Sequence, residues 1–182
     1  AKHMVTGYDH ILFLLGVVFF LYRMKDVGIY VTLFAIGHSL TLLFGTIFDI
    51  RANPYIVDAI IGLSVAYKAF DNLDGFTTVF GKRPDPKAAV LIFGLFHGFG
   101  LATKLQDLTL SQDGLIPNLL AFNVGVELGQ LLALAIILIA MNLWRFSSSF
   151  QRSAILANAA LMCAGFILVG YQLTGYFTTQ GV

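Results

Sequence analysis

The sequence has little of what soluble and secreted proteins usually contain. Only 12% of its 182 residues are charged, about half the share found in soluble domains. A single cysteine, Cys163, excludes an internal disulfide and a cysteine-based metal site. A formal net charge of +1 provides no basic surface for nucleic acid, so no nucleic-acid partner is expected. Strands of alternating apolar and polar residues are also missing, which argues against a membrane β-barrel.

What the sequence does contain is apolar segments, and hydrophobic residues make up 58% of the chain. Six segments approach or exceed the roughly 20 residues that a helix needs to cross a bilayer. We therefore predict an all-α, polytopic membrane bundle that forms one domain over residues 1–182. The predicted spans are residues 5–22, 28–48, 54–70, 87–104, 116–144 and 152–177.

Lysine and arginine indicate how the bundle is oriented. Eight of them lie on the side of the loops that follow spans 1, 3 and 5, and three lie on the other side. The positive-inside rule places the first side in the cytoplasm and both termini on the outer, periplasmic side of a bacterial inner membrane. The chain begins at Ala1, which fits a removed signal peptide or a missing exterior segment. The loop 71–86 is expected to be a solvated connector.

Four ionisable side chains are predicted to lie at one depth within the membrane. His38 follows the start of its span by ten residues, as does His97, and ten helical residues rise about 15 Å, half of a hydrocarbon core. His10 and Glu127 reach the same depth in spans that run the opposite way. Intramembrane ionisable residues usually face the bundle interior and mark a site. Three imidazoles and a carboxylate suit a divalent transition metal, although interhelical hydrogen bonding is the alternative.

Other polar and small residues lie close to this layer in the sequence. Asp9 could be a ligand or could orient His10, and His3 could receive an ion at the outer mouth. Asn123 and Gln130 form a polar stripe with Glu127 and are either part of a pathway or interhelical contacts. Four glycines in two pairs would let helices approach closely: Gly94, Gly98, Gly125 and Gly129. Further candidates for the pathway are Ser39, Asp49 and Asp58.

Several of these residues form ordered motifs. His3 and Asp9-His10 fit a His-x5-Asp-His pattern, and residues 37–42, 96–102 and 122–130 add three further elements. The whole pattern resembles the HupE/UreJ family, small membrane proteins associated with hydrogenase and urease gene clusters and regarded as nickel or cobalt permeases. The resemblance implies metal-site roles for His3, Asp9, His10, His38, His97 and Glu127.

The function expected from these features is a membrane permease for a divalent transition metal, with Ni²⁺ or Co²⁺ first and Zn²⁺ or Cu²⁺ behind. No nucleotide-binding motif is present, so a membrane potential, an ion gradient or a partner would drive transport. One alternative is an intramembrane zinc enzyme built from the histidines with Asp9, Glu127 or Ser39, although no His-Glu-x-x-His helix is present. Another is a non-transporting metal-binding subunit. The expected partners are the metal ion, the lipid bilayer, and further copies of the chain or metalloenzyme maturation proteins.

Overall fold

The computed structural model describes residues 12–13, 15–17, 19, 23–106, 115–147 and 150–180, and all regular secondary structure in these ranges is helical. Residues 12–13 and 15–17 are helical pieces of the first predicted span. Six further helices follow and agree closely with the other five predicted spans, apart from one extra helix. They are α1 (Met24–Ile47), α2 (Pro54–Asn72), α3 (Gly75–Phe80), α4 (Pro86–Gln106), α5 (Leu115–Arg145) and α6 (Phe150–Gln180).

Two of the helices begin with the same local signal, a side-chain cap followed by proline. The Asn53 side chain accepts hydrogen bonds from the backbone N–H groups of Tyr55 and Ile56 at the start of α2 (3.0 and 3.4 Å). Asp85 does the same for Lys87 at the start of α4, at 2.8 Å. Proline suits the first helical position because its missing N–H has no intrahelical partner there. These caps explain why the sequence located both starts.

The segment between α2 and α4 differs from the solvated connector that its composition predicts. It contains the six-residue helix α3, which lies between two residues in the left-handed region, Asp74 (φ 58°) and Gly81 (φ 68°). Phe76 of this helix packs against Tyr67 and Phe70 of α2, with ring centroids 4.7 and 4.8 Å apart. The loop is therefore folded back onto the end of α2.

The helices pack chiefly as two pairs, α1 with α4 and α2 with α6. Glycine permits the close approach in both. In the second pair, a Cβ on Gly165 would lie only 2.6 Å from the backbone nitrogen of Ala66, and one on Gly62 only 3.0 Å from the Cβ of Leu168. Contacts between α2 and α4 join the two pairs, and α5 lies along α1.

The contacts also give the direction of each helix. Along α1 and α4, Phe34 lies beside Gly94, Thr41 beside Gly98 and Gly45 beside Ala102, so the two helices are parallel. Helix α5 runs the opposite way, because Arg145 near its last turn donates to the Phe19 carbonyl (2.7 Å) just before α1 begins. We call the end where α1 and α4 begin and α5 ends the basic end, after its flanking residues Arg23, Lys25, Lys87 and Arg145.

Four of the described helices contain segments long and apolar enough to cross a membrane: Met24–Ile47, Pro86–Thr103, Ala121–Arg145 and Arg152–Thr179. They coincide with four of the predicted spans. Helix α2 has 19 residues but carries Asp58, Lys68 and Asp71, and most of the first predicted span lies outside the described residues. The all-helical, membrane-compatible fold is thus established, whereas six spans and outer termini stay predictions.

Candidate metal centre

Two of the predicted ligands, His38 and His97, lie in the interior of the bundle. His38 is on α1 and His97 is on α4, and each side chain is only 2% exposed. Their Nε2 atoms are shielded from solvent. His3, Asp9 and His10 lie outside the described residues. Because a histidine is costly in hydrocarbon, two fully buried imidazoles in membrane-compatible helices require a structural or functional reason.

The two histidine-bearing helices approach each other so closely that only glycine fits at the contact. A Cβ on Gly98 would overlap the carbonyl oxygen of His38 and the hydroxyl of Thr41, and one on Gly94 would overlap the carbonyl oxygen of Phe34. Gly37 meets the carbonyl oxygen of Leu91 in the same way, which the sequence analysis did not foresee. Small residues allow membrane helices this approach.

A hydrogen bond between the helices accompanies the glycine contact. The Thr41 hydroxyl lies 2.6 Å from the carbonyl oxygen of Leu95 and also reaches the Gly37 carbonyl of its own helix at 3.1 Å. The bond between helices fixes their relative rotation as well as their separation. This pairing of α1 and α4 therefore determines where the two imidazoles point.

The ring of Phe34 contacts both imidazoles. Its centroid is 6.1 Å from that of His38, in a stacked arrangement, and 4.9 Å from that of His97, edge to face. Phe13 of the first helical segment also contacts His97, at 5.3 Å between centroids. Two histidines from different helices are thus brought to one level, around one aromatic ring.

The orientation of His97 is fixed by its own helix. Its Nδ1 atom lies 2.7 Å from the carbonyl oxygen of Phe93, one turn earlier. Since a carbonyl only accepts, Nδ1 carries the proton and Nε2 of the neutral ring keeps its lone pair. Metal-binding histidines usually donate their second ring N–H in this way. The arrangement prepares Nε2 of His97 for a cation.

Helix α5 carries Glu127 on the face that it packs against α1. That face includes the buried Leu134 and Leu138, which cluster with Val27 and Val31 of α1. Glu127 precedes Leu134 by seven residues and His38 follows Val31 by seven, so both lie about 10 Å further from the basic end. Glu127 is therefore level with His38.

The same face of α5 continues with Asn123, one turn beyond Glu127. Both polar atoms of the Asn123 amide are shielded from solvent and have no hydrogen-bond partner among the described residues. Gln130, predicted to share this stripe, has no described side chain. Such an amide inside a bundle can bind a polar group that enters from outside the fold.

Three other predicted pathway residues occupy different positions. Asp58 on α2 lies beside Gly100, one turn beyond His97, because a Cβ on Gly100 would be 4.0 Å from its Oδ1 atom. Asp49 is exposed in the turn after α1 and pairs with Arg51 at 3.4 Å. Ser39 is half-buried on α1. Only Asp58 of these three lies close to the histidine level.

The second predicted glycine pair differs from the first. A Cβ on Gly125 would meet no described atom within 4 Å, so this residue does not mediate a tight contact with the described helices. The neighbouring Val124 and Leu128 are largely exposed (58% and 62%). Spacing alone does not determine which face of a helix meets a neighbour. No contact is described for Gly129.

A cluster of charged residues at the basic end was not anticipated. The carboxylate of Asp71 is 4% exposed and accepts hydrogen bonds from Lys68 (2.6 Å) and from both Nε and Nη2 of Arg83 (2.7 and 3.0 Å). Burial alone would raise the pKa of Asp71, but the bonds from Arg83 and Lys68 outweigh it and hold that pKa below its usual value. The only sequence signal was a lysine three residues before an aspartate at the end of an apolar run.

Within the described ranges no three histidine, cysteine, aspartate or glutamate side chains converge closely enough to hold a metal. The arrangement that is described consists of two imidazoles at a rigid helix contact, a carboxylate on a third helix at their level, and an aspartate one turn away. Neutral nitrogen donors with a nearby carboxylate are the donor set of divalent transition metals.

These features define an all-helical protein whose membrane-compatible helices enclose buried histidines. The chain belongs to the HupE / UreJ protein family, whose model matches residues 1–180. This confirms the resemblance found in the sequence motifs. Comparison with curated proteins and with solved structures finds no match.

Proposed function

We propose that the protein is a membrane permease for a divalent transition-metal ion, with Ni²⁺ or Co²⁺ as the preferred substrate and Zn²⁺ or Cu²⁺ as weaker ones. The ion is held by His38, His97 and Glu127, and His10 completes the site from the first span. Family membership supports the metal, and the apolar helices support transport across a bilayer.

The single observation that carries the proposal is that three helices change from apolar to polar side chains at one level of the bundle. From the basic end, α1 presents Val27, Val31 and Phe34 and then His38 and Thr41. The same change from apolar to polar side chains occurs at His97 on α4 and between Leu134 and Glu127 on α5. A dication cannot enter hydrocarbon without ligands that replace its water. The level of the change is where such ligands are available.

The chemistry of the residues gives the order of events. The ion loses water on the polar side of the level, where Asp58 and Asn123 lie, and exchanges it for imidazole nitrogen. The Phe93 carbonyl keeps the His97 proton on Nδ1, so Nε2 binds without a tautomer change. Glu127 offsets part of the charge. Because only neutral imidazoles bind, acidification weakens the site.

Uptake into proteoliposomes tests the proposal. The purified protein is reconstituted, and entry of Ni²⁺, Co²⁺, Zn²⁺ and Cu²⁺ is compared with that into protein-free liposomes. We expect saturable uptake that His97→Ala and Glu127→Ala each reduce at least tenfold. The matched control is Leu128→Ala, whose side chain is exposed next to Glu127 on the outer face of α5. No uptake of any ion above that of empty liposomes would refute the proposal.

An intramembrane metal enzyme is the competing function, and the same donors could hold zinc beside a water. We propose that the protein is not an enzyme. Accumulation of ion inside sealed liposomes distinguishes transport from hydrolysis, because an enzyme needs no net movement of its metal.

A further inference from the structure

Three phenylalanines pack together directly against the two histidines, on the side of the basic end. Phe13 lies 5.6 Å from Phe34 and 5.8 Å from Phe93 between ring centroids. Phe34 and Phe93 each precede a histidine of their own helix by four residues. We call Phe13, Phe34 and Phe93 the phenylalanine layer. All three are buried or half-buried.

Directly beyond this layer the described packing is apolar, and the polar side chains Lys68, Asp71 and Asn72 follow nearer the basic end. Phe13 and Phe34 share a core with Val17, Val65 and Val90. The cavity beneath them has a volume of about 10 Å³, the least space that one water molecule needs. It is lined by Phe13, Val17, Tyr30, Val31, Phe34, Val90 and Leu134. Among the described residues, the packing next to the layer leaves no passage for a hydrated ion.

The opposite side of the histidine level is polar. Thr41 follows His38 by one turn, Asp58 lies beside Gly100, and Asn123 follows Glu127 in the same direction. Further out, Thr103 contacts the backbone of Ala52 at 3.3 Å, and Gln106 donates to the Gly45 carbonyl at 2.6 Å. In the part of the chain that the structure describes, the packing next to the histidines is thus apolar toward the basic end and polar on the other side.

We propose that the phenylalanine layer is a gate that closes the metal path toward the basic end, with Phe34 as its central residue. The proposal rests on the proposed transport function and adds to it which side of the site is closed in this structure. A dication that leaves His38 and His97 toward the basic end must pass the rings. Hydrophobic constrictions stop ions because water, and therefore the hydrated ion, is excluded from them.

Phe34 is the central residue of the layer because its ring is close to Phe13 and to both histidines. Its ring touches Phe13, His38 and His97, with centroids 5.6, 6.1 and 4.9 Å away. Its carbonyl lies at the glycine contact with Gly94. A change of ligands at the two imidazoles therefore acts directly on the ring, and rotation of that ring would open the layer.

Thiol accessibility tests the gate without requiring transport. A reporter cysteine replaces His38 in a Cys163→Ser background, and a membrane-impermeant methanethiosulfonate reagent is added to vesicles from each side in turn. A separate Lys82→Cys protein identifies which vesicle side carries the basic end. The gate variant is Phe34→Ala, and the control is Phe44→Ala, whose ring lies on the same helix and is 56% exposed.

With Phe34 present, we expect the reporter to react only from the side opposite the basic end. Phe34→Ala should raise its reaction rate from the basic end at least tenfold and leave the opposite side unchanged, and Phe44→Ala should change neither. If Phe34→Ala does not give a monodisperse protein, Phe34→Leu carries the same test with a smaller expected increase. Equal rates from the basic end with and without the ring would overturn the gate.

The result is separable from that of the uptake experiment. If no metal enters liposomes but Phe34→Ala opens the reporter to the basic end, the apolar closure exists and the transport function fails. If metal enters and the reporter rate is unchanged, transport holds and the gate lies elsewhere. In a transporting protein, Phe34→Ala should also raise passive metal leak above that of the Phe44→Ala control.

Discussion

At the scale of single residues, His97 shows how an imidazole can be oriented by its own helix. The Phe93 carbonyl accepts the Nδ1 proton within the same helix, so the ring needs no partner from another element to keep its tautomer. Phe34 of α1 and Phe13 then pack against the ring from outside the helix.

The protonation of the two imidazoles leads to a prediction about pH. Each ring must be neutral to bind, so metal competes with protons at both. Over the range where the free rings take up protons, the logarithm of the dissociation constant should fall by up to one per pH unit for each imidazole ligand, which gives two for His38 and His97 and a third for His10. His97→Ala should lower this slope by about one. Isothermal titration calorimetry at several pH values measures it, and an unchanged slope would remove His97 from the site.

The charge of Asp71 contributes to the stability of the fold at the basic end. It is a buried carboxylate that receives bonds from α2 itself and from the loop before α4. Its lowered pKa means that the folded protein favours the charged form. The resulting stability is complete above the ordinary aspartate pKa of about 3.9 and is lost as the pH falls through the lower, folded value.

We predict that Asp71→Asn lowers the free energy of unfolding by about 3 kcal/mol near neutral pH, because Lys68 is left buried without its counter-charge. Arg83→Gln should cost less, since half of that side chain is exposed to solvent (51%). Thermal unfolding in detergent at several pH values measures both. The difference between wild type and Asp71→Asn should shrink toward acid, and a constant difference would contradict the assigned role.

At the scale of helices, the pair formed by α1 and α4 is the unit that positions the site. We predict that Gly98→Ala forces the helices apart, because its Cβ would overlap the His38 carbonyl and the Thr41 hydroxyl. Overpacking of this kind costs about 1–3 kcal/mol. Metal affinity should fall as well, since His38 and His97 belong to different members of the pair.

The matched control for this prediction is Gly125→Ala. Its Cβ would meet no described atom within 4 Å, and alanine is favoured over glycine in a helix by about 1 kcal/mol. It should therefore leave stability equal or slightly higher, with metal affinity unchanged. Thermal unfolding and calorimetry of both variants give the comparison. Equal effects of the two substitutions would show that the glycine contact is not what positions the histidines.

Helix positions were predictable from the sequence, whereas helix rotations were not. Long apolar segments indicated where α2 and α4 lie, and the side-chain caps at their starts are local features. Depth was also predictable, since the rise per residue is constant. Which glycine meets which carbonyl depends on packing between distant segments. That is why Gly37 was missed.

The link between Asp71 and Arg83 was unpredictable for a related reason. The two residues are twelve positions apart and meet only because α3 folds the loop back onto α2. The composition of that loop, rich in Gly, Asp, Pro and Lys, suggested a solvated connector. Local composition indicates where turns form. It does not indicate which charged side chain a turn brings to a buried partner.

At the scale of the whole molecule, the parallel course of α1 and α4 and the opposite course of α5 are as the alternating spans require. The positive-inside rule predicts that the basic end is the cytoplasmic side. We predict that Lys82→Cys is not labelled by an impermeant thiol reagent added to intact cells, whereas Asp49→Cys is. Both side chains are exposed at opposite ends of the bundle. Labelling of Lys82→Cys alone would invert the topology.

The central claim is that His38 and His97 bind one divalent ion inside the bundle. Nickel-edge X-ray absorption of the purified, Ni²⁺-loaded protein tests it most directly, because imidazole ligands give a characteristic scattering pattern. For the wild type we predict one Ni²⁺ per chain with at least two imidazole ligands. The single variants His38→Ala and His97→Ala should each have one imidazole ligand fewer, and Leu128→Ala should match the wild type. A spectrum that neither histidine substitution changes would contradict the claim.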